Sequence, residues 1–410
     1  MRRKIIYIFF CLLIVDLVLI NGEMKLKDFR KKILEKEFFI EKIEKNNFSN
    51  NVFFENYILR TKLDLNEGDR IYLKGVLKKL SLKKDYDRYL ISKNIDYEVK
   101  LVSIKILDKK MNIYKIRRGI LQKIKKSIDK NFENKEFIKA LILSNKNEFS
   151  KDILNEFSKI GIIHYMVASG FHMGILILFL DKLLFFVDRK YKFLIILIIS
   201  YIYSFLLYFS YPILRCFYFL LIYYIAYLFK LRFDFISTIF FVMSIEILRN
   251  NYCVYNLSFL YSYFCILGMA LMYRYIKNIL KLNLLSLSIS IFLFIFPLSI
   301  FYFKSLSFIV FISNIFFSPI FLVLYISSIL AIVIDFIFSL NFNIFAIFSD
   351  SIINSIYFFK DILINLNFLY FENLNYISYN IFYYYILIIC IYIVLEIIEI
   401  KETKNGVQKV

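Results

Sequence analysis

The 410-residue chain has a formal net charge of +20, is 60% hydrophobic and 20% aromatic, and holds 48 Phe and 33 Tyr against 3 Pro and no Trp. This composition excludes an ordinary soluble domain and defines a membrane protein, while the basic excess suits a polyanion or an anionic lipid surface. Cys11, Cys216, Cys253, Cys265 and Cys390 all fall in or beside apolar runs without a Cys-x-x-Cys pair, which argues against a disulfide framework or a zinc site.

In chain order, residues 1–22 combine a basic start with an apolar run and no small-x-small cleavage site, so they read as an uncleaved anchor with its N-terminus inside. Residues 24–45 alternate charged and apolar positions at helical spacing. The period then changes to two: "NVFFENYILR" (51–60), "DRIYLKGVLKKL" (69–80) and "DYEVKLVSIKIL" (96–107) predict strands of a small β domain over 23–110. Residues 111–160 return to amphipathic helical spacing with basic polar faces, the pattern of helices that lie along a bilayer surface.

Beyond 161 a polytopic helical domain is expected as far as residue 400, with apolar runs near 162–186, 193–209, 212–229, 233–248, 254–273, 283–303, 306–340 and 377–398. The run 306–340 is too long for one crossing and contains Asn314 and Pro319, which predicts a broken helix or a hairpin of two spans. Basic loops at Arg189, Lys190 and Lys192, at Lys230 and Arg232, and at Arg274, Lys277 and Lys281 then all face inside. The same count leaves the tail 401–410 in the cytoplasm and the β domain extracytoplasmic.

Both histidines of the chain stand in "GIIHYMVASGFHMGIL" (161–176). On one straight helix His164 and His172 would be separated by about 12 Å of rise, too far to share an ion, so no metal site is expected. Ser169 and His172, three apart, permit the Ser-His pair of an intramembrane hydrolase. Alternatively, Gly170 and Gly174 form a small-xxx-small pair for close helix packing, with Ser169 and the histidines as polar groups lining a path.

His164, Ser169-Gly170, His172 and Gly174, preceded by Gly161, resemble the signature of the ComEC-type competence proteins. Further landmarks resemble the same family in the same order: Arg215 in "YPILRCFYFLL", Leu257-Ser258-Phe259 in "NLSFLYSYFCILGMA", and Asn314 with Pro319 in "SNIFFSPIFLVL". Upstream, "GDRIYLKGVL" and "DYDRYLISKNI" resemble the β domain and linker that precede the membrane part of that family. The resemblance implies a polytopic α-helical membrane protein with a small N-terminal extracytoplasmic OB-like β domain, acting as a channel for single-stranded DNA during natural transformation. His164, Ser169, Gly170, His172, Gly174, Arg215, Ser258, Asn314 and Pro319 would then line or shape the path.

Many relatives continue into a metallo-β-lactamase-like domain, but no His-x-His-x-Asp-His cluster occurs here, so a form without that domain is expected. No Gly-x-x-x-x-Gly-Lys loop occurs either, and no cofactor is expected. The implied partners are single-stranded DNA, the lipid bilayer, separate receptor, ATP-driven motor and nuclease chains, and a further copy of the chain in a homo-oligomer. For the β domain, the interleaved Arg70, Tyr72, Lys74, Lys78, Lys79, Lys83, Lys84, Arg88, Tyr89 and Lys93 are the candidate DNA-binding residues, combining backbone attraction with base stacking. A transporter of a smaller anionic solute is the remaining alternative.

Overall fold

The computed structural model of the chain describes residues 33–45, 49–82, 84–107, 111–145, 149–167, 169–232, 234–338, 343–365, 369–372, 374 and 379–407. The expected anchor over 1–22 and Lys83 lie outside them. The chain divides into two compact units, one of residues 1–127, 201–209 and 230–260, the other of residues 128–200, 210–229 and 261–410.

In the first unit β1 (Ile33–Phe39), β2 (Lys42–Lys45), β3 (Asn50–Phe54), β4 (Tyr57–Thr61), β5 (Arg70–Lys79) and β6 (Tyr97–Ile106) form one sheet in the order β1-β5-β6-β4-β3-β2. β1 and β2 take opposite edges although only Ile40 and Glu41 separate them. In a flat sheet those edges would stand about 24 Å apart, whereas three successive Cα links reach at most about 11 Å. The sheet therefore closes. At the kink, Ile40 N donates to Asp69 O (3.0 Å) and the next residue, Glu41, donates to Phe53 O (2.9 Å), so consecutive amides bond to opposite sides. β1 and β2 are thus two halves of one bent strand in a five-stranded, OB-like barrel.

Its core is built by Phe38, Ile40, Val52, Phe54, Leu59, Leu65, Ile71, Leu73 and Val99. Along β5, Ile71 and Leu73 point inward while Arg70, Tyr72 and Lys74 alternate with them on the outer face, as period two requires. The register shifts between Lys74 and Gly75, where a Cβ would stand 2.5 Å from Val99 Cγ1 and 2.8 Å from Lys100 O. The strands expected over 69–80 and 96–107 are present. The helical spacing read over 24–45 is corrected, because 33–45 forms β1 and β2, and 51–60 is a hairpin, not one strand.

α1 (Asp85–Ile91) follows β5, and its C-terminal end is fixed by Asn250 Nδ2, which donates to Ser92 O (2.7 Å) and Ile91 O (3.3 Å), and by Asn256 Nδ2, which donates to Ser92 Oγ (3.1 Å). From α2 (Ile113–Asn131), the buried Arg117 donates to Glu41 O and lies 4.2 Å from the Tyr208 ring, whose hydroxyl donates to Glu67 (2.7 Å).

The second unit is helical. α3 (Lys135–Leu143) packs Phe137 on Phe321, with ring centroids 6.1 Å apart, so its apolar face is covered by protein. α4 (Lys151–Lys159) ends where Gly161 takes φ +78, Ile162 N reaches Phe157 O (2.9 Å) and Gly161 N reaches Ser158 O (3.0 Å), the Schellman arrangement that only glycine adopts without strain. A 3₁₀ turn (Ile163–Tyr165) and a non-helical step precede α5 (Gly170–Leu183).

The single helix expected over 162–186 is therefore corrected. Its helical part has 14 residues and rises about 21 Å, short of the roughly 30 Å hydrocarbon core. α6 (Arg189–Leu206), α7 (Tyr211–Leu228), α8 (Phe235–Arg249), which belongs to the first unit, α9 (Leu257–Leu280) and α10 (Asn283–Phe303) follow.

α11 (Ile309–Phe338) is one continuous helix of 30 residues, not the broken pair its length and Pro319 suggested. One proline removes one N–H, a loss that a helix packed in a bundle tolerates. α12 (Ile344–Ile364), outside the expected apolar runs, lies along α11. Ser327 and Ser349 hydrogen-bond between them (2.8 Å), and Asn343 Nδ2 donates to Ala331 O (2.8 Å). A two-stranded ribbon, β7 (Leu306–Ser307) with β8 (Tyr370–Phe371), precedes α13 (Tyr379–Val407).

Among the described residues, α7, α9, α10 and α11 are long and apolar enough to cross a membrane, and α13 contains a shorter apolar helical stretch, Tyr383–Ile398.

Candidate functional site

The histidine segment turns on the step between the 3₁₀ turn and α5. Ser169, in extended conformation, is the N-cap of α5. His172 Nδ1 lies 2.9 Å from Ser169 Oγ and accepts from Ser169 N at 3.3 Å, the third-residue side chain reaching back to the capping amide. Because a backbone N–H can only donate, Nδ1 is the unprotonated nitrogen. His172 is fully buried, and its Nε2 makes no hydrogen bond of ordinary geometry among the described residues. His164 is exposed, and its Nδ1 donates to Gly161 O (2.7 Å), bracing the turn after α4.

Tyr165, between the histidines, is the hub. Its hydroxyl donates to Asn314 Oδ1 (3.1 Å) and bonds Ser318 Oγ (2.6 Å), while Asn314 Nδ2 donates to Ser288 Oγ (3.2 Å). One polar seam thus joins the 3₁₀ turn to α11 and α10. Tyr165 also stacks on Phe321 at 4.6 Å between centroids. Asn314 and Ser318, four apart, share the face of α11 that meets Tyr165, whereas Pro319 is exposed.

Arg215, one turn into α7, is 4% exposed, and its guanidinium lies 5.2 Å from the Tyr263 ring. A Cβ on Gly170 would stand 3.1 Å from Cys216 Sγ and 3.6 Å from Arg215 Nη2, so this glycine admits α7 to the start of α5. Gly174 does not act likewise: a Cβ there meets nothing within 4 Å, which corrects the expected Gly170 and Gly174 packing pair. The tight glycine is Gly268 of α9, where a Cβ would stand 2.5 Å from Ser290 O of α10.

The structure thus brings His172, Ser169, Gly170 and Arg215 to one end of α5, and Asn314 to Tyr165. Ser258 belongs to the first unit. It is exposed in the first turn of α9, where its amide donates to Asn256 Oδ1 (2.9 Å).

On the barrel, most of the strand cations nominated for DNA are tied to carboxylates. Arg70 pairs with Glu37, Lys74 with Glu35 (3.1 Å) and Lys78 with Glu98 (3.2 Å), and the Tyr72 hydroxyl donates to Glu35 (2.5 Å). The Tyr72 hydroxyl and Lys74 hold the Glu35 carboxyl below the usual range. These pairs follow from register: Glu35 faces Lys74 and Glu37 faces Tyr72 across β1 and β5.

A second face carries aromatic rings less encumbered. Tyr86 (43% exposed) and Tyr89 (39%) of α1 stand 6.3 Å apart, with Arg60 5.3 Å from the first ring and Lys93 4.2 Å from the second. Lys93 approaches Glu44 at 4.0 Å, and burial pulls its ammonium pKa down. Arg88 pairs with Asp85 (3.3 Å), Lys84 is exposed beside them, and Lys79 interacts with Asp96. Arg60 joins this group through the fold, since β4 and α1 are distant in sequence.

A closed β barrel joined to a chain of apolar helices, with a polar seam inside the helical unit, defines a polytopic helical membrane protein with an N-terminal β domain. The chain belongs to the competence protein family, whose model matches residues 141–397. No curated protein and no solved structure shows significant similarity to it.

Proposed function

We propose that this chain conducts single-stranded DNA across the cytoplasmic membrane during natural transformation. The barrel, on the outer face, receives the strand, and the helical unit passes it along a polar path near Ser169, His172, Arg215 and Asn314. The observation that carries the reading is membership of the competence family over 141–397. Two features agree with it. Tyr86 and Tyr89 offer two exposed rings flanked by cations, the combination that stacks bases and holds a phosphate backbone without regard to sequence. The Tyr165, Asn314, Ser318 and Ser288 seam supplies hydrogen-bonding groups among apolar helices, where such groups mark pathways. A separate receptor, motor and nuclease would complete the machine. Labelled DNA offered to cells lacking the chain tests the reading: capture at the surface without arrival in the cytoplasm is expected.

The 2.9 Å contact between Ser169 Oγ and His172 Nδ1 also fits a nucleophile and its base, which keeps an intramembrane hydrolase as the second reading. Helix capping accounts for the same contact.

A further inference from the structure

Among the described residues, Arg215 is a buried cation without a counter-charge. Its Nε and Nη1 are both buried and make no hydrogen bond among the described residues, and none of those residues offers it a carboxylate within ion-pair distance. Tyr263 covers its face at 5.2 Å, which holds the guanidinium plane but neutralises nothing.

Its Nη2 lies 3.6 Å from the point where a Cβ on Gly170 would stand, and so beside the first residue of α5. The first amides of a helix lack intrahelical acceptors and carry roughly half a positive charge between them. A guanidinium that never loses its proton is thereby set against a second positive pole. Removing the partner from a buried charge costs about 3–5 kcal/mol, so two positive groups brought together with no anion describe a site built for one. Gly170, lacking a side chain, lets the guanidinium stand this close to the helix start, with Cys216 Sγ 3.1 Å from the same point.

We propose that Arg215 and the N-terminus of α5 bind a single phosphodiester group. Resting on the channel reading above, successive backbone phosphates of the DNA strand occupy this station in turn. The guanidinium supplies N–H donors for phosphate oxygens, its buried Nε and Nη1 among them, and the helix amides match a further acceptor. One guanidinium and a partial helix charge balance one monoanion, and a single station of that strength releases its ligand to the next phosphate, as conduction demands.

The test uses the full-length protein purified in detergent and freed of phosphate. Thermal unfolding is followed while diethyl phosphate, oligothymidylate or short-chain phosphatidylglycerol is added to wild type, Arg215→Met and Arg215→Lys. Diethyl phosphate and oligothymidylate should raise the Tm of wild type and leave Arg215→Met unmoved. Arg215→Lys, which keeps the charge and loses the fork, should bind at least about tenfold more weakly, the equivalent of one charge-assisted hydrogen bond. Without anion, Arg215→Met should melt no lower than wild type, because it removes an unpaired charge and not a partnered one. Equal shifts in wild type and Arg215→Met, or unchanged affinity in Arg215→Lys, would overturn the site. A response to phosphatidylglycerol without one to oligothymidylate would overturn its assignment to DNA. Failure of the channel reading gives a different pattern: Arg215-dependent binding of diethyl phosphate persists, while cells lacking the chain still bring DNA into the cytoplasm.

Discussion

Ser169 Oγ stands 2.9 Å from Nδ1 of His172, three residues further along, at the point where the chain enters α5. As an N-cap, Ser169 serves stability in proportion to how well its replacement tolerates the capping position. Ser169→Gly should cost a few tenths of a kcal/mol and Ser169→Ala about 1 kcal/mol, and both should keep most DNA uptake. As a nucleophile it would have no partial substitute, and both variants would be inactive at normal protein levels. Uptake of labelled DNA beside the Tm of each variant separates the two.

Glycine positions give a second contrast. Gly268→Ala places a methyl 2.5 Å from Ser290 O, so α9 and α10 must part, at a cost of roughly 1–3 kcal/mol. Gly174→Leu meets open space and should leave the Tm within a degree or two of wild type. Thermal unfolding in detergent checks both, and a large loss in Gly174→Leu with none in Gly268→Ala would refute this packing.

Asp350 of α12 accepts from Glu133 N (3.0 Å), Asn134 N (2.9 Å) and Asn134 Nδ2 (3.1 Å), capping α3 from another element. Asp350→Ala strands two backbone amides and should cost about 2–3 kcal/mol. Asp350→Asn, which keeps one acceptor oxygen, should cost less. Denaturant or thermal unfolding of the full chain measures the order.

The two faces of the barrel should differ in salt dependence. Replacing Tyr86 and Tyr89 by Ala should weaken binding of oligothymidylate by about 1–3 kcal/mol per stacked base while leaving the slope against salt nearly unchanged. Lys84→Gln should lower that slope by about 0.7, the value for one phosphate contact on a single strand. Lys74→Gln should leave it unaltered, because Glu35 already neutralises Lys74 at 3.1 Å. Titrations of the full-length protein between about 50 and 200 mM salt decide the matter.

Some of this was legible in the sequence and some was not, for identifiable reasons. β5 announces itself by alternation, Ile71 and Leu73 in, Arg70 and Tyr72 out. β1 does not, because in "ILEKEFF" only Phe38 is buried and the glutamates answer to cations on β5 that no local pattern reveals. The hairpin at Glu55 and Asn56 lacks the usual glycine; Glu55 itself takes φ +45. α12 was missed because Ser349, Asp350 and Lys360 interrupt its apolar run, and their partners, Ser327, Asn134 and Glu156, are distant in sequence. The Ser169 and His172 contact follows from spacing alone, whereas the approach of Arg215 to Gly170 is purely tertiary.

If this chain is the channel, DNA crosses the membrane through it and fails to cross without it. Cells with the chain deleted, and the same cells carrying it on a plasmid, should be given DNA labelled along one strand, and label inside the cytoplasm should be scored apart from label held at the surface. Surface capture without cytoplasmic label is expected in the deletion, and restored arrival with the plasmid. Undiminished cytoplasmic label in the deletion would contradict it.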